Sequence, residues 1–371
     1  MRITIVTGPF WSPPPAPGGA VERRWFHVAE RFAAKGHDVT FLSRRHDKTL
    51  ASDETIKGVQ HHRRLSLKSG GSLKANLVKD AVYTTRMLGT LPKADILVTN
   101  TFWMPVLAPR LRGKAGRVVV NVARAPKGQM KLYKKAALLV APSTAVAQMI
   151  RDEVPDQADK AIAVANPIDT HVFRPDDTPE PETPTIVYTG RVHPEKGLTL
   201  LAEAHRRLRQ RLPNLVTKVI GAWTVEDGAA GDDFRRELRS IGGDGVEFVD
   251  PIWDRQALAA AIRSGTVYCY PSVAEKGESF GCAPLEAMGC GRAVVMSGLA
   301  AFDDYVAVDE NALRFDHKAD DAASRLADQL GRLLDDGTLR HRLAKAGAET
   351  ASHYSFDAIA DQYLNHFEKL L

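Results

Sequence analysis

The sequence is poor in cysteine: it has three thiols, Cys269, Cys282 and Cys290, among 371 residues. None stands in a Cys-x-x-Cys pair or at a Cys/His ligand spacing. That excludes a disulfide framework and a thiolate metal centre, and leaves reduced, structural thiols in a cytoplasmic protein as the expectation. No apolar run reaches the ~18–20 residues of a membrane span. The opening MRITIVTGPF lacks a cationic region followed by a long apolar stretch, so it reads as a buried first strand, not a signal peptide. Gly-x-Gly-x-x-Gly and the phosphate-loop Gly-Lys-Ser/Thr are both missing. Short-period repeats and low-complexity tails are missing too.

What is present is enough for about two domains of ~100–200 residues each. The apolar fraction, 44%, suits a protein with real cores. The net charge of +5 hides a strong asymmetry. Residues 1–150 carry 25 Lys+Arg against 8 Asp+Glu, while the remainder carries 25 against 37. A first half with that excess is expected to face something anionic, against the plainer reading of solvated lysines.

Apolar runs alternate with helical patterns. Segments 2–7, 38–43, 94–99, 116–122 and 137–143 read as buried strands, with helices at 20–35 and 72–90 among the segments between them. A proline- and acid-rich stretch, NPIDTHVFRPDDTPEPETP (166–184), reads as a linker. The alternation then restarts, with strands at 185–190, 215–221, 246–249 and 266–272 and helices at 196–211, about 230–240 and 254–263. The end, SFDAIADQYLNHFEKLL, reads as an amphipathic helix capped by Ser355. The expected architecture is α/β: a doubly wound domain over 1–165, the linker, and a second over 185–354. A cleft between them would bind ligands at the strands' carboxyl ends.

Three loops follow strands and carry chemistry. GPFWSPPPAPGGAVERR places Gly18 and Gly19 where a helix starts, so backbone amides could approach a phosphate; a proline-rich surface loop is the plain alternative. GRVHPEKG puts Gly190, Arg191 and Lys196 at a strand's carboxyl end, where two cations neutralise a leaving diphosphate; charged turn residues are the alternative. EKGESFGCAPLEAMGCG places Glu278, Ser279, Phe280 and Gly281 before a short helix that begins near Pro284 and contains Glu286. Carboxylates of this kind accept hydroxyls of a sugar and of a ribose diol.

These stretches, with APSTAVAQMI…VANPIDTHVF between them, lie in the order and at the spacing of a known family. The chain resembles a retaining glycosyltransferase of family 4, with the GT-B fold of two Rossmann-like domains, over almost its whole length. The final motif contains that family's Glu-x7-Glu signature. The resemblance implies that Arg191 and Lys196 hold a donor diphosphate. It implies further that Glu278 contacts the donor sugar, Glu286 the ribose and Gly19 the diphosphate, and that Pro251 and Ile252 lie against the base. It implies that the last helix, about 355–371, crosses back onto the first domain. Many relatives carry histidines after the fourth and fifth strands, where this chain has Asn100 and Ala123-Arg124; Asn100 and Arg124 are the acceptor-side candidates.

No metal is expected, since the chain contains no Asp-x-Asp and Arg191, Lys196 and helix amides would replace its charge. The expected partners are a nucleotide-sugar donor, UDP-sugar before GDP-mannose, and a carbohydrate or lipid-linked acceptor. The segment GGSLKANLVKDAVYTTRMLGTL allows two readings: a packed helix whose lysines point to water, or peripheral contact with an anionic membrane at its inner face. There an apolar stripe of Leu73, Leu77, Val78, Ala81 and Leu88 would run beside basic residues drawn from Lys57, Arg63, Arg64, Lys68, Lys74, Lys79 and Arg86. No nucleic acid and no cofactor beyond the substrate are expected. Two alternatives stay open: a catalytically degenerate nucleotide-sugar-binding partner protein, and a nucleotide-sugar epimerase of the same fold.

Overall fold

In the computed structural model, which describes residues 1–14, 19–45, 47–67, 70 and 72–371 (Arg112 by its backbone only), buried β-rich runs alternate with amphipathic helices in two units. One comprises Met1–Pro167 with Phe356–Leu371, the other Ile168–Ser355.

The first unit runs β1 (Arg2–Val6), α1 (Ala20–Ala34), β2 (Asp38–Arg45), β3 (Asp53–Ile56), β4 (Val59–Leu65), α2 (Leu73–Thr90), β5 (Ile96–Thr99), the short α3 (Met104–Leu107) and α4 (Arg112–Ala115), β6 (Arg117–Asn121), β7 (Leu138–Ala141), α5 (Thr144–Glu153) and β8 (Ala161–Ala163). Its sheet has the order β3-β4-β2-β1-β5-β6-β7-β8, parallel except for β3. The inner strands β5 and β7 are buried throughout and β1 after its first residue, as strands covered by helices on both faces must be.

The second unit runs β9 (Thr185–Thr189), α6 (Leu198–Arg209), β10 (Val216–Ile220), α7 (Asp232–Gly242), β11 (Val246–Val249), α8 (Arg255–Arg263), β12 (Val267–Tyr270), α9 (Cys282–Gly289), β13 (Ala293–Ser297), β14 (Leu313–Phe315), α10 (Ala322–Asp335) and α11 (Gly337–Ser352). Its parallel sheet has the order β11-β10-β9-β12-β13-β14. The last helix, α12 (Phe356–Glu368), belongs to the first unit and packs on α1: Trp25 lies 4.9 Å from Tyr363, and Phe32 lies 5.9 Å from Phe367.

Several local expectations change. The hairpin β3–β4 escapes the reading of strands because its residues, DETI and VQHHRRL, are largely polar. Helix α9 starts at Cys282, not at Pro284; proline in the first helical turn removes only an N–H that has no intrahelical partner. The stretch 166–184 is more than a linker. Ile168 and Phe173 are buried and pack against Gly289, and cations hold the rest: Arg263 bonds Asp176 at 2.6 Å and Arg340 bonds Glu180 at 2.6 Å.

On α2 the residues of the expected stripe lie outside the core. The helix's buried residues are Asp80, Tyr83, Thr84 and Met87, while Leu73 and Val78 are exposed. The reason is Asp80, which accepts from the backbone N–H groups of Phe102 and Trp103 and so turns its own face inward. Arg63 leaves the basic surface as well, since it is buried against Glu54. Lys68 lies outside the described residues.

Candidate functional site: a cation–carboxylate centre at the β9–β12 switch point

Strand order reverses between β9 and β12: β10 follows β9 on one side, and β13 follows β12 on the other. Loops leaving the carboxyl ends of two such strands diverge and open a crevice, the usual ligand position in doubly wound sheets. Residues 190–197 leave β9 and residues 271–281 leave β12.

The two loops are tied backbone to backbone. Val273 N–H donates to the Glu195 carbonyl at 2.9 Å, and the Ser272 hydroxyl oxygen lies 3.3 Å from the same carbonyl. Gly197 makes this approach possible. It sits at φ +66°, and a Cβ there would lie 1.9 Å from the Pro271 carbonyl oxygen. The preceding 3₁₀ turn, Pro194–Lys196, therefore delivers Lys196 to the second loop.

Lys196 is nearly buried and its Nζ pairs with Glu278 Oε1. The Tyr270 hydroxyl donates to that oxygen at 2.9 Å and the Ser272 hydroxyl at 3.1 Å. The Lys196 ammonium also lies 3.4 Å from the Tyr270 hydroxyl. Burial and the neighbouring Glu278 carboxylate hold the Tyr270 phenol well above its ordinary range, so it acts as a donor. Sequence reasoning missed Tyr270 and Ser272. The only signal was a hydroxyl-bearing side chain at each flank of Pro271.

Arg191, more exposed, points along its own loop to Glu195 at 2.7 Å and to the Gly228 carbonyl. Gly190 takes φ +148°, with the Tyr188 hydroxyl within 2.6 Å of where a Cβ would stand. Gly281 precedes α9 at φ +78°, and a Cβ there would meet Phe302 at 2.4 Å. Ser279 is half-buried between Glu278 and Phe280. The Phe280 ring is buried between Tyr305 and Tyr354, 5.3 and 5.8 Å away. Only its backbone remains for a ligand. Glu286, inside α9, is not beside Lys196: it pairs with Arg255 at 3.0 Å, whose guanidinium stacks over Phe173. Ile252 is half-buried after β11, next to Trp253, which is 75% exposed.

The remaining candidates belong to the first unit. Gly19 caps α1, and Gly18 lies outside the described residues. Asn100 follows β5 with its side-chain oxygen buried and without a hydrogen-bond partner. Arg124 follows β6 and is exposed. Two features here were not read from the sequence. Glu22, in the first turn of α1, is buried beside Gly19, and burial raises its carboxyl above the ordinary range. Arg24 donates to Asn121 at 2.5 Å and to Asn166, tying α1 to the ends of β6 and β8. Among the described residues, no cluster of His, Cys, Asp and Glu is arranged to hold a metal ion.

Two doubly wound sheets, the second with a cation–carboxylate centre at its switch point, define the class of fold. A family model described as "Glycosyl transferases group 1" matches residues 170–350, and one described as "Glycosyltransferase Family 4" matches residues 17–172. The chain belongs to glycosyltransferase family 4, with the GT-B fold. It is similar to a phosphatidyl-myo-inositol mannosyltransferase of Mycobacterium leprae, 34% identical over 187 residues, which are 50% of this chain and 46% of that protein. It is also similar to a D-inositol 3-phosphate glycosyltransferase of Jonesia denitrificans, 28% identical over 260 residues, 65% of this chain and 59% of that protein. The chain thus spans about half the length of the curated relatives it matches. In fold it is similar to a sucrose-phosphate synthase from Thermosynechococcus elongatus, with TM-score 0.81, 19% identity, and coverage of 100% of this chain and 98% of that one.

Proposed function

We propose that this protein transfers a sugar from a nucleotide diphosphate sugar to an acceptor hydroxyl with retention of anomeric configuration. The observation that carries the reading is the buried Lys196–Glu278 pair at the β9–β12 switch point, with Arg191 on the same loop. In this scheme the bond from the anomeric carbon to the diphosphate oxygen breaks, and the acceptor oxygen bonds to that carbon on the same face. The departing diphosphate oxygen takes the acceptor's proton. Lys196 and Arg191 stabilise the charge that grows on the diphosphate, which is electrostatic catalysis without a metal. Glu278 holds the donor sugar and Glu286 the ribose. On the acceptor side, Asn100 and Arg124 are the contacts, and Gly19 brings backbone near the diphosphate.

UDP-sugar is the first donor to test and GDP-mannose the second. The activities named for the mycobacterial and Jonesia relatives, mannosyl transfer to phosphatidyl-myo-inositol and glycosyl transfer to D-inositol 3-phosphate, support a phosphorylated polyol, free or lipid-linked, as acceptor. A peripheral position on an anionic membrane accords with the basic first unit, which has 28 Lys+Arg against 15 Asp+Glu. No helix among the described residues is long and apolar enough to cross a membrane.

The test is nucleotide release from a panel of UDP- and GDP-sugars, with inositol phosphates and phosphatidylinositol as acceptors and NMR of the product linkage. Acceptor-dependent release with an inverted product would defeat the retaining assignment. Donor binding without any release would favour the degenerate partner protein, and conversion of the donor sugar without acceptor the epimerase.

A further inference from the structure

Glu278 Oε1 receives three donors: the Lys196 ammonium, the Tyr270 hydroxyl and the Ser272 hydroxyl. No hydrogen bond from the described residues reaches its Oε2. Three donors arriving from different directions fix both the rotation and the tilt of a carboxyl group, and they do so at one oxygen only. The second oxygen is left as the acceptor for a ligand.

The donors are themselves held. The Tyr270 ring stacks on Tyr188 at 5.9 Å and 15°, and meets Phe302 edge-on at 6.0 Å. Its hydroxyl therefore has one place to be. Ser272 is fully buried next to Val273, whose N–H bonds the Glu195 carbonyl, so its one proton is directed at Glu278.

We infer that Tyr270 and Ser272 are positioning residues of the donor site, whose hydroxyls orient Glu278 so that Oε2 meets the donor sugar while Lys196 stays beside it. This rests on the donor-site reading given above. It assigns to the last residue of β12 and to the serine after Pro271 a role in turnover, exerted entirely through Glu278. A plain structural role, hydroxyls that only satisfy a buried carboxylate, makes a different forecast, because it would act on stability whatever Glu278 does.

A double-mutant cycle separates the two. Tyr270→Phe keeps the ring and its stacking and removes the hydroxyl. Turnover is expected to fall about tenfold with the donor KM within about twofold, since the lost hydrogen bond goes to a charged group. In a Glu278→Gln background the same change should cost less than about twofold, because the partner it acts through is already altered. Ser272→Ala should repeat the pattern and serves if the tyrosine variant does not fold. Equal losses in the two backgrounds, or no loss in wild type, overturn the inference.

A second measurement does not depend on transfer. Lys196 is labelled with acetic anhydride and quantified by peptide mass spectrometry. Tyr270→Phe should raise labelling at least about threefold, as the ammonium loses a fixed neighbour. If the wild-type protein transfers no sugar from any donor, the glycosyltransferase reading fails, and the labelling ratio alone decides the positioning role: an unchanged ratio overturns it.

Discussion

Lys196 and Glu278 stand 82 residues apart in the chain and share a buried ion pair, their side chains 11% and 8% exposed. The pair lies where the loops after β9 and β12 cross, and both charges are largely withdrawn from solvent. A buried pair of this kind adds little net stability over an apolar pair of the same shape, yet breaking it is costly. An arrangement that gains so little from its charges is more economically explained by a charged ligand than by stability.

Lys196→Ala should therefore lower stability by about 3–5 kcal/mol, because Glu278 is left buried and alone. Turnover should fall at least ~10²-fold, as when one preorganised charge stabiliser is lost. Lys196→Met combined with Glu278→Gln should regain most of the stability and none of the turnover, read by urea unfolding and nucleotide release. Arg191→Ala should also cost ~10²-fold in turnover, but leave the unfolding midpoint nearly unchanged because the side chain is exposed. Full activity in the double variant would remove the pair from the chemistry.

Gly197→Ala should destabilise by more than about 2 kcal/mol, since it combines a left-handed backbone with a collision against the Pro271 carbonyl. Gly128 is the control, left-handed at φ +93° and ψ −8° with nothing within 4 Å of its absent Cβ. Its alanine variant should cost about 1 kcal/mol. Thermal unfolding of the two variants ranks them, and a smaller loss at Gly197 would mean that the loops separate easily.

His61 sets an acid limit on stability. It is buried between Phe26 and Phe41, neither ring nitrogen has a hydrogen-bond partner, and burial, helped by Arg63, lowers its pKa to about 4. The unfolded chain binds a proton near pH 6.5 and the folded chain does not until about pH 4. Stability should therefore fall as pH drops from about 6.5 toward 4, and this contribution should be flat above pH 7. His61→Phe should flatten that slope in urea titrations between pH 8 and 5. An unchanged slope would place the acid sensitivity elsewhere, His205 being another histidine whose pKa burial lowers.

Turnover should survive EDTA, because Lys196, Arg191 and the amides around Gly281 supply the charge that a divalent ion would otherwise bring. Loss in EDTA with rescue by Mg²⁺ or Mn²⁺ would show a metal requirement.

The exposed Leu73, Val78 and Val82 lie on α2 with Lys74 and Arg86. Co-sedimentation with phosphatidylglycerol vesicles should be strong at low salt and weak at high salt, each cation near the surface contributing about 1 kcal/mol. Lys74→Glu with Arg86→Glu should abolish it. Salt-independent or absent binding, together with full turnover on a soluble acceptor, would reduce the patch to ordinary surface.

The sequence by itself determined the periodicities, and with them the alternation of strands and helices, the restart near residue 185 and the loops that follow β1, β9 and β12. It also carried the Glu-x7-Glu spacing, because eight residues span one loop and one helical turn wherever they lie. Local pattern could not reach what depends on neighbours distant in the chain. Glu278 and Glu286 look alike in sequence, but the fold gives one Lys196, Tyr270 and Ser272, and the other Arg255. Phe280, placed by motif among the donor contacts, faces the core because Tyr305 and Tyr354 arrive from later segments. The inward face of α2 includes Asp80, held by backbone amides beyond β5 that local pattern does not announce. Periodicity is a property of neighbours along the chain. Which carboxylate is buried beside a lysine, and which hydroxyl aims it, is decided only when two strands distant in the chain end side by side and bring together residues 82 apart.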